Sequence, residues 1–283
     1  MSAASVPSAS TRPVAIAVAP NGARRTRAEH PGVPLTPREI AYSAAQSAEA
    51  GAAMIHLHVR DKSGAHTLDP GIYHEAIAEI RREVRDRMII QITTDSLGQY
   101  NPRDQMTVVR DVRPEAVSLA LRELCPDDRA EAEFLDFLTF MKRERIAPQF
   151  ILYDPVDVAR FALLQERGII PYERPPVIYV LGRYLLEGRP EAPDLLPYLQ
   201  AAQPHALFSC FMVCAFSAAE AACGLAGALL GGDVRVGFEN NILLPDGRRA
   251  PDNAALIRAV ADPLAALSLR PEEADSMRER YLV

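Results

Sequence analysis

Short apolar runs alternate with amphipathic stretches from one end of this chain to the other, and that alternation limits its architecture more than any other feature. The apolar runs, read as buried strands, cover 14–19, 53–59, 88–93, 116–120, 149–153, 177–181, 207–213 and 234–238. They are too short for helices and rich in residues that suit a fully buried strand. Between and after them lie helical patterns at 37–50, 70–85, 103–110, 127–145, 155–167, 194–202, 218–230 and 252–266, several opening on Pro, Asp or Ser as helix starts do. Eight strands alternating with eight helices predict an α/β fold, a (β/α)₈ TIM barrel. An open doubly wound sheet is the runner-up, but no G-x-G-x-x-G follows the first strand, which removes that fold's commonest ligand signal. No repeat or Gly/Ser-rich linker divides the chain, so a single barrel domain is expected over 13–283, preceded by a flexible Ser/Ala-rich tail at 1–12.

Composition excludes several classes. A net charge of −6 without basic clusters argues against a nucleic-acid surface. No apolar stretch approaches the ~20 residues of a membrane helix, and the N-terminus lacks the apolar region of a secretory signal. The four cysteines (Cys125, Cys210, Cys214 and Cys223) form no C-x-x-C pair and read as small buried hydrophobes, consistent with a reducing cytoplasm. Lys62 and Lys142 are the only lysines, and neither lies in an apolar strand that would lower its pKa for Schiff-base chemistry. That disfavours lysine-dependent aldolases and pyridoxal-phosphate enzymes.

His56 and His58 lie two apart in the second strand, so both imidazoles project from one face. Burying two imidazoles together calls for a partner. Either a divalent metal or backbone carbonyls could serve. In a barrel the site forms at the carboxyl ends of the strands, which here carry Asn21, Arg24 and Thr26, then His56, His58 and Arg60. Thr93, Thr94, Asp95 and Ser96 follow at strand three, Ser118 at strand four, Asp154 at strand five and Glu239, Asn240 and Asn241 at strand eight. Arg235, Gly237 and Glu239 share one strand face, and strand eight should pair with strand one and close the mouth.

Two neutral imidazoles and a carboxylate with a position left open form the ligand set of a catalytic zinc site, although iron or manganese suits a similar set. Glu239 could instead pair with Arg235 or Arg60. Arg235 could hold a substrate carboxylate or stabilise a developing enolate, or pair with Glu239 or with Asp233 on the rim. Thr93, Thr94, Ser96 and Ser118 could donate to substrate oxygens or cap loops. His66, His74 and His205 read as surface residues, and His30 as the organiser of a loop.

The segments Asn21-Gly22-Ala23-Arg24, His56-Leu57-His58-Val59-Arg60, Gln91-Ile92-Thr93-Thr94, Pro114-Glu115-Ala116-Val117-Ser118 and Arg235-Val236-Gly237-Phe238-Glu239-Asn240-Asn241 together resemble the β-keto acid cleavage enzymes. The resemblance runs in order from first strand to last. It implies a zinc-bearing barrel and a cytoplasmic homotetramer in which a β-keto acid and the co-substrate acetyl-CoA give acetoacetate and a new acyl-CoA. It further implies that His56, His58 and Glu239 bind zinc, that Thr93 and Ser118 contact substrate and that Arg235 is catalytic. Asn21, Thr94 and Ser96 are grouped with the substrate contacts. Three positions depart from the pattern. Asn240 stands where an aspartate acts in proton transfer, and an amide cannot serve as a base. Arg24 stands where a glutamate recognises a substrate amine, which favours a neutral or anionic tail. Ala215-Phe216-Ser217-Ala218 replaces a Gly-Arg turn associated with coenzyme A. A metal-dependent hydrolase or aldolase working without coenzyme A, and a catalytically impaired barrel that only binds metal or keto acid, are the alternatives.

Overall fold

The computed structural model describes residues 11–183, 188–203 and 210–281. Eight parallel strands close into a barrel: β1 (Ile16–Val18), β2 (Met54–Leu57), β3 (Ile89–Thr93), β4 (Ala116–Ala120), β5 (Ala147–Leu152), β6 (Val177–Leu181), β7 (Phe211–Ala215) and β8 (Asp233–Val236). They neighbour one another in chain order, and β8 pairs with β1 through Val234↔Ile16, Arg235↔Ala17 and Val236↔Val18. Nearly every strand residue is buried, as expected where helices cover one face and the barrel interior the other.

The α-helices longer than four residues are α1 (Pro37–Glu49), α2 (Pro70–Val84), α3 (Pro102–Val112), α4 (Glu131–Glu144), α5 (Pro155–Glu166), α6 (Leu196–Ala202), α7 (Glu220–Leu229), α8 (Asn253–Ala261) and α9 (Ala274–Tyr281). Four of them begin in the same local way. Thr36, Asp69, Asn101 and Asp154 each accept a backbone N–H in the first turn, and proline follows where no N–H is needed. The start points read from sequence therefore hold. Among the described residues no helix is long and apolar enough to cross a membrane.

Several expectations shift in detail. The expected first strand divides: Arg12–Val14 pairs outside the barrel with Leu269–Pro271, and only Ile16–Val18 joins the barrel. Arg12, assigned to the tail, is thus in a strand, while residues 1–10 of that tail lie outside the described residues. The part of the seventh expected strand before residue 210 also lies outside them, and the strand continues to Ala215. The eighth strand stops at Val236 because Gly237 adopts φ +144°.

Helix α9 escaped the sequence reading. Its surface is strongly charged, yet Met277 and Tyr281 pack among the apolar residues filling the barrel interior, including Ala15, Ala17 and Met212. Asp233 is therefore not on the rim of the site. It sits buried at the opposite end, accepting from Ala15 N (2.9 Å) and Arg280 Nη2 (3.1 Å).

Candidate functional site

His56 on β2 lies beside Gln91 on β3, and a pair of hydrogen bonds fixes its tautomer. Gln91 Nε2 donates to Gln149 Oε1 (3.0 Å), which turns Gln91 Oε1 toward His56 Nδ1 at 2.8 Å. An amide oxygen only accepts, so Nδ1 carries the hydrogen and Nε2 presents a lone pair to the barrel mouth. That Nε2 lies 3.2 Å from His58 Nε2 and 3.6 Å from Glu239 Oε2, and His58 Nε2 is 3.3 Å from the same oxygen. The ligand atoms of His56, His58 and Glu239 all fall within 4.8 Å of one another. Glu239 Oε2 is buried without a hydrogen-bond partner. Two ring nitrogens and a carboxylate oxygen converging in a buried site form a set of electron-pair donors that a cation could bridge. The donor set, two imidazoles and one carboxylate, suits zinc.

Two glycines bring the carboxylate there. At Gly237 a Cβ would lie 2.3 Å from Ala19 O, so only glycine lets the chain leave β8 at this angle. The turn then aims Glu239 N at Ala19 O (3.1 Å). Gly22, at φ +59°, leaves room behind the carboxylate, since its Cβ would lie 2.6 Å from Glu239 Cγ.

Arg235 completes the charge pattern. Its Nη2 lies 3.2 Å from Glu239 Oε1, 3.3 Å from Asn240 Oδ1 and 3.3 Å from Cys214 Sγ, while its buried Nε has no partner. Glu239 thus pairs with Arg235 through one oxygen and faces the imidazoles with the other. Burial pushes the Glu239 carboxyl up, but Arg235, His56 and His58 together hold it well below the ordinary carboxylate range. Burial, reinforced by Arg235, lowers His56 to about 3, so its ring is neutral at physiological pH. Arg60 does not pair with Glu239. It donates instead to Gly22 O and Arg25 O, bracing the loop after β1.

His56, His58, Arg235 and Glu239 line an open pocket together with Thr93, Thr94, Asp95, Glu123, Tyr153, Arg183 and Phe216. Thr93 Oγ1 accepts from Asp95 N (3.0 Å), and Thr94 Oγ1 donates to Ser118 O (3.0 Å). Ser118 Oγ is buried and unpartnered but does not line the pocket. The remaining expected contacts stand back from it. Ser96 Oγ accepts from Gly98 N within a turn, and Asn21 Nδ2 donates to Pro34 O and His58 O. Arg24 is exposed and absent from the lining, where the arginine beside Phe216 is Arg183.

Asn240 is held in one orientation. Its Oδ1 faces Arg235, and its Nδ2 donates to Glu220 Oε1 (3.3 Å). Glu220, on α7, also accepts from Gly237 N and Asn241 Nδ2. Burial pushes its carboxyl up to about 8 against the pull of these donors and of Arg235. Sequence reasoning missed Glu220 because it lies in an alanine-rich helix with no periodic signal. It missed Gln91 as a ligand support, although a buried amide sharing a strand face with Thr93 was a readable clue. His30 organises its loop as expected, through Ala250 O and Gly32 N. His74 is exposed, and His205 lies outside the described residues. His66 contradicts its surface assignment. It is buried on the short strand His66–Thr67 that pairs with Val59–Arg60, and burial, aided by His58, lowers it to about 4.

Comparison with known proteins gives this geometry a context. The sequence profile described as beta-keto acid cleavage enzyme matches residues 13–282. A 3,5-dioxohexanoate:acetyl-CoA acetone transferase from Paraburkholderia graminis is 27% identical, covering 95% of this chain and 96% of its own. A 3-keto-5-aminohexanoate cleavage enzyme from Acetoanaerobium sticklandii is 26% identical, covering 84% of this chain and 87% of its own. Among solved structures, a ternary complex of ObcA with C4-CoA adduct and oxalate superposes with a TM-score of 0.73 at 17% identity. It covers 89% of this chain and 68% of that one, a likeness of fold.

Proposed function

The chain belongs to the beta-keto acid cleavage enzyme family, and from that premise we propose that it condenses a β-keto acid with acetyl-CoA, giving acetoacetate and a new acyl-CoA. We propose that His56, His58 and Glu239 hold the zinc ion this reaction uses. One observation carries the reading: the lone pairs of His56 Nε2 and Glu239 Oε2 converge at the barrel mouth beside a buried guanidinium that keeps one N–H unpartnered. Zinc bound there supplies Lewis-acid polarisation of the substrate ketone.

The protein's own groups account for the rest. Arg235 offers its unpartnered Nε–H to a substrate oxygen and stabilises negative charge as it develops there. Thr93 is the best placed hydroxyl, because its oxygen already accepts from Asp95 N and its hydrogen remains to donate. Thr94 spends its hydrogen on Ser118 O and can only accept. Asn240 cannot take a proton. Its carbonyl steadies Arg235, and Asp95 in the pocket lining is the carboxylate that accepts the proton in this chain. Arg183, rather than Arg24, meets the distal end of the substrate. Holding both substrates in one mouth supplies the orientation that the carbon–carbon step needs.

The test uses zinc-loaded protein with a panel of β-keto acids, with and without acetyl-CoA, and measures acetoacetate. Strict dependence on acetyl-CoA is expected, with zinc content lost in His56→Ala and Glu239→Gln. Product without acetyl-CoA would favour a hydrolase or aldolase. Zinc retained in both variants would refute the ligand assignment.

A further inference from the structure

We propose that His66 is a positioning residue for the metal site: it receives the Nδ1–H of His58 through one bridging water, and so fixes the tautomer in which His58 presents Nε2 to the metal.

The hairpin explains why the two rings meet. Asp61 Oδ1 accepts from Ser63 N and Ala65 N, Gly64 adopts φ +84°, and the chain folds back so that His66 pairs with Arg60, two residues beyond His58. The ring centroids of His58 and His66 are then 5.6 Å apart.

Their hydrogen-bonding capacities are complementary. His58 turns Nε2 toward His56 and Glu239, so a neutral ligand ring must carry its hydrogen on Nδ1. That Nδ1 is buried and has no partner. His66 Nε2 lies 2.7 Å from Asp95 O, and a carbonyl can only accept, so the hydrogen sits on Nε2 and Nδ1 is left as a lone pair. That Nδ1 too is buried without a partner. One ring needs an acceptor, the neighbouring ring has one to spare, and neither atom is otherwise occupied. Metal-bound histidines ordinarily give their second N–H to such a partner, which orients the ring and raises its basicity. His56 has Gln91 for this purpose, and of the two imidazoles in ring contact with His58 among the described residues it is His66, not the fellow ligand His56, that has an unoccupied Nδ1 to offer. The far side of His66 is anchored to the backbone of Asp95, so the arrangement ties the His58 ligand to the loop after β3.

The inference rests on the zinc reading of the triad. Zinc affinity is measured by chelator competition on wild type, His66→Leu and His66→Asn, with circular dichroism to verify folding. Leucine supplies no acceptor and should weaken zinc binding roughly 10- to 100-fold. Asparagine places an oxygen near the position of the lost Nδ1, so it should stay within about threefold of wild type. Nitrogen-15 imidazole spectra of zinc-loaded wild type should show His58 protonated on Nδ1. If wild type held no zinc, the ligand assignment and this inference would fall together. If wild type held zinc and leucine left its affinity unchanged, or if His58 carried its hydrogen on Nε2, this inference alone would fall. Should the leucine variant not fold, the tautomer measured in wild type and the asparagine variant still decide.

Discussion

Replacing Gly22 with alanine tests whether Glu239 must sit where it does. Gly22 has φ +59°, a conformation that costs an alanine ~1–2 kcal/mol. The added Cβ would also lie 2.6 Å from Glu239 Cγ and 3.0 Å from Glu239 Cβ. Carbon atoms rest at about 3.5–4.0 Å, so the carboxylate must retreat by about 1 Å. Such overpacking costs roughly 1–3 kcal/mol. The sum, about 2–5 kcal/mol, should lower the melting temperature by roughly 4–10 °C in a chain of this size. The displacement matters more than the stability, because a zinc–carboxylate bond spans only about 2.0–2.2 Å. Moving the ligand by half that length should weaken zinc binding at least tenfold. Gly247→Ala provides the control. It has φ +85° and nothing within 4 Å of the new Cβ, so it bears the backbone cost alone and should keep full zinc affinity. Chelator competition and thermal melting on both variants decide the matter. Equal zinc affinity in the two would refute the claim that Glu239 is a ligand held in place by the absence of a side chain at residue 22.

Asp95→Asn should lower kcat by roughly 100-fold while leaving zinc content unchanged, as expected for loss of a proton acceptor, and a change below threefold would remove Asp95 from that role. Glu220→Gln should change how stability depends on pH. The native carboxyl titrates near 8, above its ordinary value of 4.5, so the folded state retains a proton that the unfolded chain releases. Wild type therefore loses stability as pH rises from about 4.5 to 8, by at most ~1.4 kcal/mol per pH unit, whereas glutamine does not titrate. Urea denaturation should show the variant gaining on wild type across that window, and a constant gap would contradict it. Arg24→Glu should leave the ranking of substrates by tail charge unaltered, and Arg183→Glu should shift relative kcat/KM toward cationic tails. The reverse pattern in steady-state kinetics would restore Arg24 as the selecting residue.

The barrel was legible because the units of the sequence repeat one alternation: an apolar face packs each helix, and a short apolar run returns as a strand. In four helices a polar cap and a proline also mark the start. The parts that escaped lie where tertiary packing overrides that local pattern. Helix α9 carries Arg278 and Arg280, which reach Glu115, Glu272 and Asp233 on other segments, and it is those distant carboxylates that let a charged helix cover the barrel floor. Asp233 was misplaced for the same reason. Two-residue periodicity assigns a strand face, but which end of the strand opens to solvent depended on α9.

Spacing brought the triad together as candidates, since His56 and His58 share a strand face and β8 closes on β1, and the family resemblance singled it out from the alternatives. What spacing could not reveal is how those groups are held. Gln149, a residue on β5, acts on His56 through Gln91, and Glu220 reaches Asn240 from a helix whose other residues are apolar. The departure at position 240 also changes meaning once Glu220 is considered. An aspartate there would set a second carboxylate about 3.3 Å from a buried one. With both ionised, at an effective dielectric near 20, the two would repel by roughly 5 kcal/mol, so one of them would have to keep a proton, as burial already makes Glu220 do. The amide meets Glu220 with a donor and Arg235 with an acceptor, so Asn240 satisfies both neighbours in either protonation state of Glu220. Its presence is thus accounted for by the surroundings that α7 creates, and it does not require that the chain be inactive.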